Sequence, residues 1–598
     1  MNILIKDYLE KSEVQNLTSQ NTVNFTLLYT TDEHSSLIPH TPAIDFDPNQ
    51  KDDTIGGFAR LQTIVSKIRN EKLKSKEPVL LVSAGDFLSG NPYSWLATKG
   101  KTPELSLMNK IGYDVITLGN HEYDFGTDFI SNYLKLAGYP KDNGPVLLGT
   151  NTVIYDDTPL KEIGLNKYFI KELTNNIKVG FIGIIGKEAQ HYIRKAKDIT
   201  FNSHLTSIKK YVKTLKENGA NIIVAVNHSG VNENINIARY IDDIDIIISG
   251  HTHKFLKHPT ITNNTFIVQP GSHLRHLGQL DISYNIESKE LSIYQKNIPI
   301  DDIIKEDPEI ESDISNYTNL LNEWLEDLTN KKINNILEPI AISNENIKKT
   351  PTYSETPLGN LITDSMRIYA EDTLEKTVDF AFQVNGQIRD DILPGTREDT
   401  KGKISFYDLA RTAGMGKTIN STPGYPVAEV YFTKREIKII LESFIFLSKV
   451  MGNPLFLQVS GMRYSYDPDN VILSDLPIKN WAIPSFRAIN SIEKYVGEGV
   501  QTDNNKDFIE LKKDKKKLYR VAIDLYVLEF FPKKRLVSRL FVVPKDEHGN
   551  PIEDFKKSII KENYRPLTVW KALVGFSKNR DLTSYSEDNK RIITKNRN

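Results

Sequence analysis

Short apolar runs closed by polar residues recur through the first half of the chain. They are "FTLLYTT" (25–31), "PVLLVSAG" (78–85), "DVITLG" (114–119), "KVGFIGIIG" (178–186), "NIIVAVN" (221–227), "IDIIISG" (244–250) and "TFIVQPG" (265–271). Runs of this length, rich in Val and Ile and followed by Gly, Asn or Asp, predict buried strands. Between several of them the apolar spacing widens to three and four, as in "GGFARLQTIVSKIRNEK" and "SHLTSIKKYVKTLKENG". That spacing predicts helices, and strands alternating with helices predict an α/β domain.

A different helix is predicted over 307–328, "DPEIESDISNYTNLLNEWLEDL". Asp307 can cap it, Pro308 suits the first helical position, and Glu309 and Glu311 suit its positive end. Ile310, Ile314, Tyr317, Leu321, Trp324 and Leu328 keep one apolar face. Beyond it the chain changes character, with longer loops, the strands "AEVYFT" and "LYRVAIDLYVLEFF", and the Lys run "KKDKKK". The helix therefore reads as a joint between two domains. The Lys run reads as a solvated loop, and the end "SEDNKRIITKNRN" as a frayed tail.

Composition narrows the partners. The 598 residues exceed what one core supports. The 76 basic and 77 acidic side chains leave a net charge of -1. Nothing global therefore argues for a nucleic-acid polymer or a membrane surface as partner. The chain has no cysteine, which removes disulfides and thiolate chemistry and leaves His, Asp, Glu and Asn as metal ligands. No run reaches the ~18 apolar residues of a membrane span, and the first 20 residues lack the pattern of a signal peptide. A trimmed export signal would leave the same sequence, so compartment is open, as is oligomeric state.

The chemistry gathers where the strands end. Asp32 and His34 follow the first run and Asp86 the second. Asn120 and His121 follow the third, His228 follows "VAVN", and His251 and His253 follow "IISG". Ligands in α/β sheets collect outside the carboxyl ends of strands, so these donors can converge on one crevice. Carboxylate, imidazole and amide donors without sulfur suit two divalent metal ions of the Zn, Mn or Fe type.

Asp-x-His, Gly-Asp, Gly-Asn-His-Glu, Asn-His and Gly-His-Thr-His, in that order over about 25–280, resemble the calcineurin-like metallophosphoesterases. More closely, the chain is similar to the 5'-nucleotidase / 2',3'-cyclic phosphodiesterase family. "ETPLGNLITDSM" (355–366), "VNGQIRDDI" (384–392) and "LFLQVSGMRYSYD" (455–467) resemble motifs of that family's C-terminal domain. The resemblance implies an N-terminal four-layer α/β/β/α sandwich over 23–300 after a tail at 1–22. It further implies a linker over 301–335, a C-terminal α/β substrate-binding domain over 336–577, and a tail over 578–598.

It also implies roles. Asp32, His34 and His253 would hold one metal, Asn120, His228 and His251 the other, and Asp86 would bridge them. A hydroxide formed at the metal pair would attack a phosphate ester, expected to be a nucleotide. His121, oriented by Asp124, would stabilise the transition state or protonate the leaving oxygen. Family members are often exported. Gly56 and Gly57 match a family turn, His273, Arg275 and His276 read as supporting groups, and Glu122 is assigned no more than a loop hydrogen bond. In the second domain Arg389 would grip phosphate, with Asn385 beside it and Tyr425 or Tyr526 available to stack on a base. The family's Gly-Gly-Asp-Gly motif is absent, Leu525 stands where a stacking Phe is expected, and Val384 stands where an Asn is usual. These departures open an alternative on the same metals: a phosphodiesterase, nucleotide-sugar pyrophosphatase or non-nucleotide ester hydrolase.

Overall fold

A computed structural model describes residues 22–140, 144–193, 196–416, 422–476, 481–511, 514, 516–531, 542–587 and 589–595. The chain divides into two compact units. Unit 1 is drawn from Met1–Thr41, Phe46–Ser89 and Tyr93–Trp324, unit 2 from Pro42–Asp45, Gly90–Pro92 and Leu325–Asn598. The N-terminal segment read as a tail lies outside the described residues up to Thr22, where the first strand begins.

Each apolar run of the first half is a strand, but they sort into two sheets, a division the periodicity does not disclose. One six-stranded sheet has the order Leu291–Pro299, His276–Asn285, Thr22–Thr30, Val79–Ser83, Val115–Thr117, Val146–Leu148. The other has the order Thr260–Thr262, Thr265–Val268, Ile246–Ser249, Ile222–Asn227, Lys178–Ile182, Phe169–Glu172. Alternation along each strand sets what faces inward. Phe25, Leu27, Tyr29, Leu80 and Val82 of the first sheet share a core with Val179, Phe181, Val224, Val226, Ile246 and Ile248 of the second. The second sheet's other face, through Ile182, Ile223, Ala225 and Ile247, is covered by Ile208, Val212 and Leu215 of the helix His204–Glu217 and by Ile237 of Val231–Tyr240. Two facing sheets with outer helices make the expected mixed α/β sandwich.

The helix runs from Pro308 to Leu328. Asp307 caps it, its Oδ1 accepting from the N–H groups of Glu309 (3.1 Å) and Ile310 (3.0 Å). Ile310, Ile314, Leu321, Trp324 and Leu328 are buried, and the division between the units falls after Trp324, inside the helix.

Unit 2 is built on a four-stranded sheet ordered Val427–Thr433, Leu518–Asp524, Phe380–Val384, Leu457–Ser460. The run "LYRVAIDLYVLEFF" is a strand only to Asp524, whose Oδ1 accepts from the Tyr526 N–H at 2.8 Å and starts a short helix, Leu525–Leu528. Half of the Lys run lies outside the described residues. The frayed tail is a correction, because its described part is structural. Ile592–Thr594 pairs in parallel with Met462–Tyr466, Tyr585 is buried, and Arg591 is fully buried. The charged look of "SEDNKRIIT" hides a two-pronged ion pair, Arg591 Nη1 and Nη2 each 2.8 Å from an Asp364 oxygen. Among the described residues no helix is long and apolar enough to cross a membrane.

That ion pair sets a stability expectation. Burial pushes the Asp364 carboxyl up, but the Arg591 guanidinium outweighs it and holds the group below the usual carboxylate range. A depressed value contributes stability above the unfolded pKa near 4, and the contribution is lost as pH falls through the folded value. Arg591→Met leaves a buried charge alone and should cost about 3–5 kcal/mol at pH 7 by chemical denaturation. The gap from wild type should narrow towards pH 3. A pH-independent gap would refute this role for the pair.

Candidate metal centre

The parallel registers decide which loops meet. Thr30 lies beside Ser83 and Val82 beside Val115 in one sheet, and Ser249 lies beside Asn227 in the other. The turns carrying Asp32 and His34, Asp86, and Asn120 therefore leave one sheet edge together, and those carrying His228, His251 and His253 leave the other. His228 joins the two: its Nδ1 lies 2.8 Å from the Ala84 carbonyl oxygen. That bond orients the ring and turns Nε2 towards Asp86 and Asn120.

Two groups of donors result. Asp32, His34 and His253 form one, and Asp86, His228 and His251 the other, with donor atoms in each within 4.8 Å of one another. His34 Nε2 is 3.0 Å from His253 Nε2, which is 3.5 Å from Asp32 Oδ1. His228 Nε2 is 3.0 Å from Asp86 Oδ2 and 3.1 Å from Asn120 Oδ1. So many lone pairs directed at one another, with so few protons to share, is the arrangement that divalent cations satisfy. The residues present fit the implied metals.

The backbone bends sharply to achieve this. Asp32 (φ 52°), His34 (48°), Asp86 (57°), His251 (81°) and His253 (54°) are all left-handed. Asp and His tolerate that region better than branched residues do. Two glycines make room. A Cβ on Gly119 would stand 2.3 Å from Asp86 Oδ1, and one on Gly250 would stand 2.5 Å from Thr31 Oγ1 and 3.0 Å from His228 Nδ1.

The electrostatics follow from burial. Asp32, fully buried, has its carboxyl pushed up to about 7 by desolvation, against the pull of His228. Burial also opposes ionisation of Asp86, yet His228 and His121 hold it well below the usual carboxylate range. His228 is raised to about 9, because Asp86 outweighs its burial. A metal ion held here would take the place of the proton between His228 and Asp86.

His121 stands apart from both groups. Its Nδ1 is 2.8 Å from Asp124 Oδ2, and its backbone N–H donates to Asp86 Oδ1 at 2.8 Å. The ring lies 5.2 Å from that of His34, centroid to centroid. Ser89 donates its hydroxyl to the same Asp124 oxygen at 2.9 Å, a support that no sequence spacing marks. Glu122 is fully buried and accepts three backbone N–H groups: Gly119 at 2.6 Å, Leu88 at 3.0 Å and Asp86 at 3.1 Å. Burial, reinforced by the Asp86 charge, pushes its pKa up to about 8 against the pull of those donors. The His273 N–H donates to the Asp32 carbonyl at 2.7 Å, and His276 stacks on Phe255 with centroids 4.3 Å apart. Gly56 and Gly57 are packing glycines, since a Cβ on Gly57 would press 2.7 Å from Pro39.

In unit 2, Asn385 is engaged on both sides, donating to Asn453 Oδ1 at 3.2 Å and accepting from Gln458 Nε2 at 2.9 Å. Arg389 is half-buried, its N–H bonded to the Thr412 carbonyl at 3.0 Å. Tyr425 is buried, with its ring 5.4 Å from that of Tyr526. Leu525 packs against the core where a stacking ring was expected.

Fold and donor set define a metal-dependent phosphoester hydrolase of the calcineurin-like class, and the comparisons agree. The calcineurin-like phosphoesterase family model matches residues 25–255, and that of the 5'-nucleotidase C-terminal domain matches 335–529. The chain thus carries a metallophosphoesterase domain followed by a C-terminal domain of the 5'-nucleotidase type. It is 25% identical over 500 residues to the 5'-nucleotidase of Bos taurus, covering 79% of this chain and 81% of that one. It is 26% identical over 449 residues to the trifunctional nucleotide phosphoesterase of Bacillus subtilis, spanning 69% of this chain but only 28% of that longer protein. In fold it resembles a 5'-nucleotidase precursor from Thermus thermophilus, with TM-score 0.68 at 19% identity over 96% of this chain and 100% of that one.

The glycine beside Asp86 gives a test. Gly119→Ala should leave a folded protein whose metal content, measured by elemental analysis after dialysis against limiting metal, falls with an affinity loss of about 10–100-fold. Wild-type metal retention would mean that Asp86 can move aside without consequence.

Proposed function

We propose that this chain releases phosphate from nucleotides, with Asp32, His34 and His253 holding one divalent ion and Asn120, His228 and His251 the other, and Asp86 contributing to both. The observation that carries this reading is the convergence of four strand-end loops into two donor groups, with Asn120 of a fifth 3.1 Å from His228 Nε2 and the His121–Asp124 pair outside them. Two divalent ions bound there would supply Lewis-acid charge to the phosphoryl oxygens and acidify a water for attack. Zn, Mn and Fe all suit the donors, and the native pair is set by supply as much as by affinity.

The protein's own share is orientation and proton transfer. Asp124 Oδ2 pairs with His121 Nδ1 and is itself steadied by Ser89, so the His121 ring plane is fixed. Nε2 can then carry a proton to the leaving oxygen or offset charge on the phosphoryl group. Arg389 is the side chain proposed to grip the substrate phosphate, and Tyr425 with Tyr526 the rings proposed near a base.

Leu525 packed against the core and the engaged Asn385 side chain favour a second reading, in which the same metals act on a different ester. AMP, p-nitrophenyl phosphate and its bis ester separate the two. Hydrolysis of AMP above the others supports the nucleotidase, and preference for the bis ester supports a diesterase. A folded, two-metal protein that cleaves none of the three would refute both.

His121→Asn should lower kcat by about 10²–10⁴-fold while both metals are retained. Loss of metal with kcat restored by excess metal would instead make His121 a ligand.

A further inference from the structure

We infer that Glu122 is the positioning residue of the dimetal site, a buried clamp that fixes the turn of Asp86 and the turn of Asn120 to each other. The inference deepens the proposed function and rests on it. Three observations carry it. Glu122 is fully buried, and its two oxygens take three backbone N–H groups from two separate turns. Oε2 accepts from Asp86 at 3.1 Å and Gly119 at 2.6 Å, and Oε1 accepts from Leu88 at 3.0 Å. One carboxylate oxygen thus holds the residue proposed to serve both metals and the residue directly before Asn120.

The chemistry requires an acceptor at both oxygens. A carboxyl group keeps an acceptor lone pair at both oxygens in either protonation state, so it meets three converging N–H groups that an amide nitrogen could not accept from. An amide of the same shape brings an NH2 group against at least one of them. The carbonyls of the same turn face the other way: those of Gly85, Asp86 and Phe87 accept from the N–H groups of Asp32 (2.9 Å), His34 (3.0 Å) and Ser35 (2.9 Å), so the turn is tied to the Asp32 turn by its C=O groups and to the Asn120 turn by its N–H groups. Glu122 also explains its own place in the chain. It follows His121, whose backbone N–H donates to Asp86 Oδ1 at 2.8 Å. Consecutive residues therefore grip the same aspartate: His121 holds the Asp86 side chain, and Glu122 holds the Asp86 backbone.

Two other buried carboxylates lie close by and do something different. Glu33 accepts from the hydroxyls of Thr30 and Ser83 (2.5 and 2.8 Å), and Glu104 from those of Ser35 and Tyr133 (2.5 and 2.6 Å). Hydroxyls rotate to suit a protonated or amide partner, whereas backbone N–H groups do not. The clamp role therefore belongs to Glu122 among the three.

The test is metal binding to the full chain, using Mn²⁺ and, for its visible spectrum, Co²⁺. Glu122→Gln should weaken metal binding by about 10–100-fold and alter the Co²⁺ bands, with kcat returning towards wild type at saturating metal and KM little changed. Glu104→Gln, at equal thermal stability, should leave the affinity within a few-fold. In the wild type, metal should slow hydrogen exchange at the amides of Asp86, Leu88 and Gly119, a measurement that stands even where Glu122→Gln fails to fold. Wild-type affinity and spectrum in Glu122→Gln, or no protection at those amides, would overturn the inference alone. A wild-type protein that binds no metal would overturn the proposed function instead.

Discussion

Unit 1 depends on one constraint: Asp86 from one sheet and His228 from the other must lie 3.0 Å apart, fully buried. Two β-sheets packed face to face share a core but leave their strand-end loops independent. The Asp86–His228 contact, with the His228 bond to the Ala84 carbonyl, removes that independence. An uncompensated charge at such depth would be expensive, so each group's ionisation is favoured chiefly by the other's. His121 adds to the pull on Asp86, and Asp32 to the pull on His228.

Around that contact the supports are graded by how firmly each fixes a ligand. Glu122 uses rigid backbone donors, Ser89 and Thr31 use hydroxyls that adapt, and Gly119 and Gly250 act by having no side chain at all. The gradation matters because donors proposed to bind metal and a ring proposed to transfer a proton must each be held close to one geometry. Glu122 and the Thr31 hydroxyl act on the two donor groups, and the Ser89 hydroxyl acts on the His121–Asp124 pair.

Much of the donor set could be read from the letters because strand ends in an α/β fold are where ligands gather, and because His, Asp and Asn there do little else. The division into two sheets could not, since both sets of strands carry the same apolar pattern. Glu122 looked idle for a physical reason: its partners are backbone N–H groups, which every residue possesses and no spacing reveals. Arg591 was hidden in the same way, its charge reading as solvated until Asp364 appears beside it. The substrate side was least legible. Asn385, Tyr425 and Leu525 are defined by packing partners distant in sequence, and their departures from the family pattern name no ligand.

The left-handed bends give the site an energetic meaning of its own. Five non-glycine donors hold positive φ, and such conformations cost of order 1–3 kcal/mol each. Their sum is comparable with the ~5–15 kcal/mol that separates a folded domain from its unfolded chain. Local propensity cannot sustain that, so the shared core of the two sheets must, through residues such as Leu27, Val82, Phe181 and Val226. A cation that binds the strained arrangement and not the unfolded chain adds its binding energy to folding. The metals of this site would therefore serve the fold as well as the chemistry, because the backbone has been bent in advance to the shape they require.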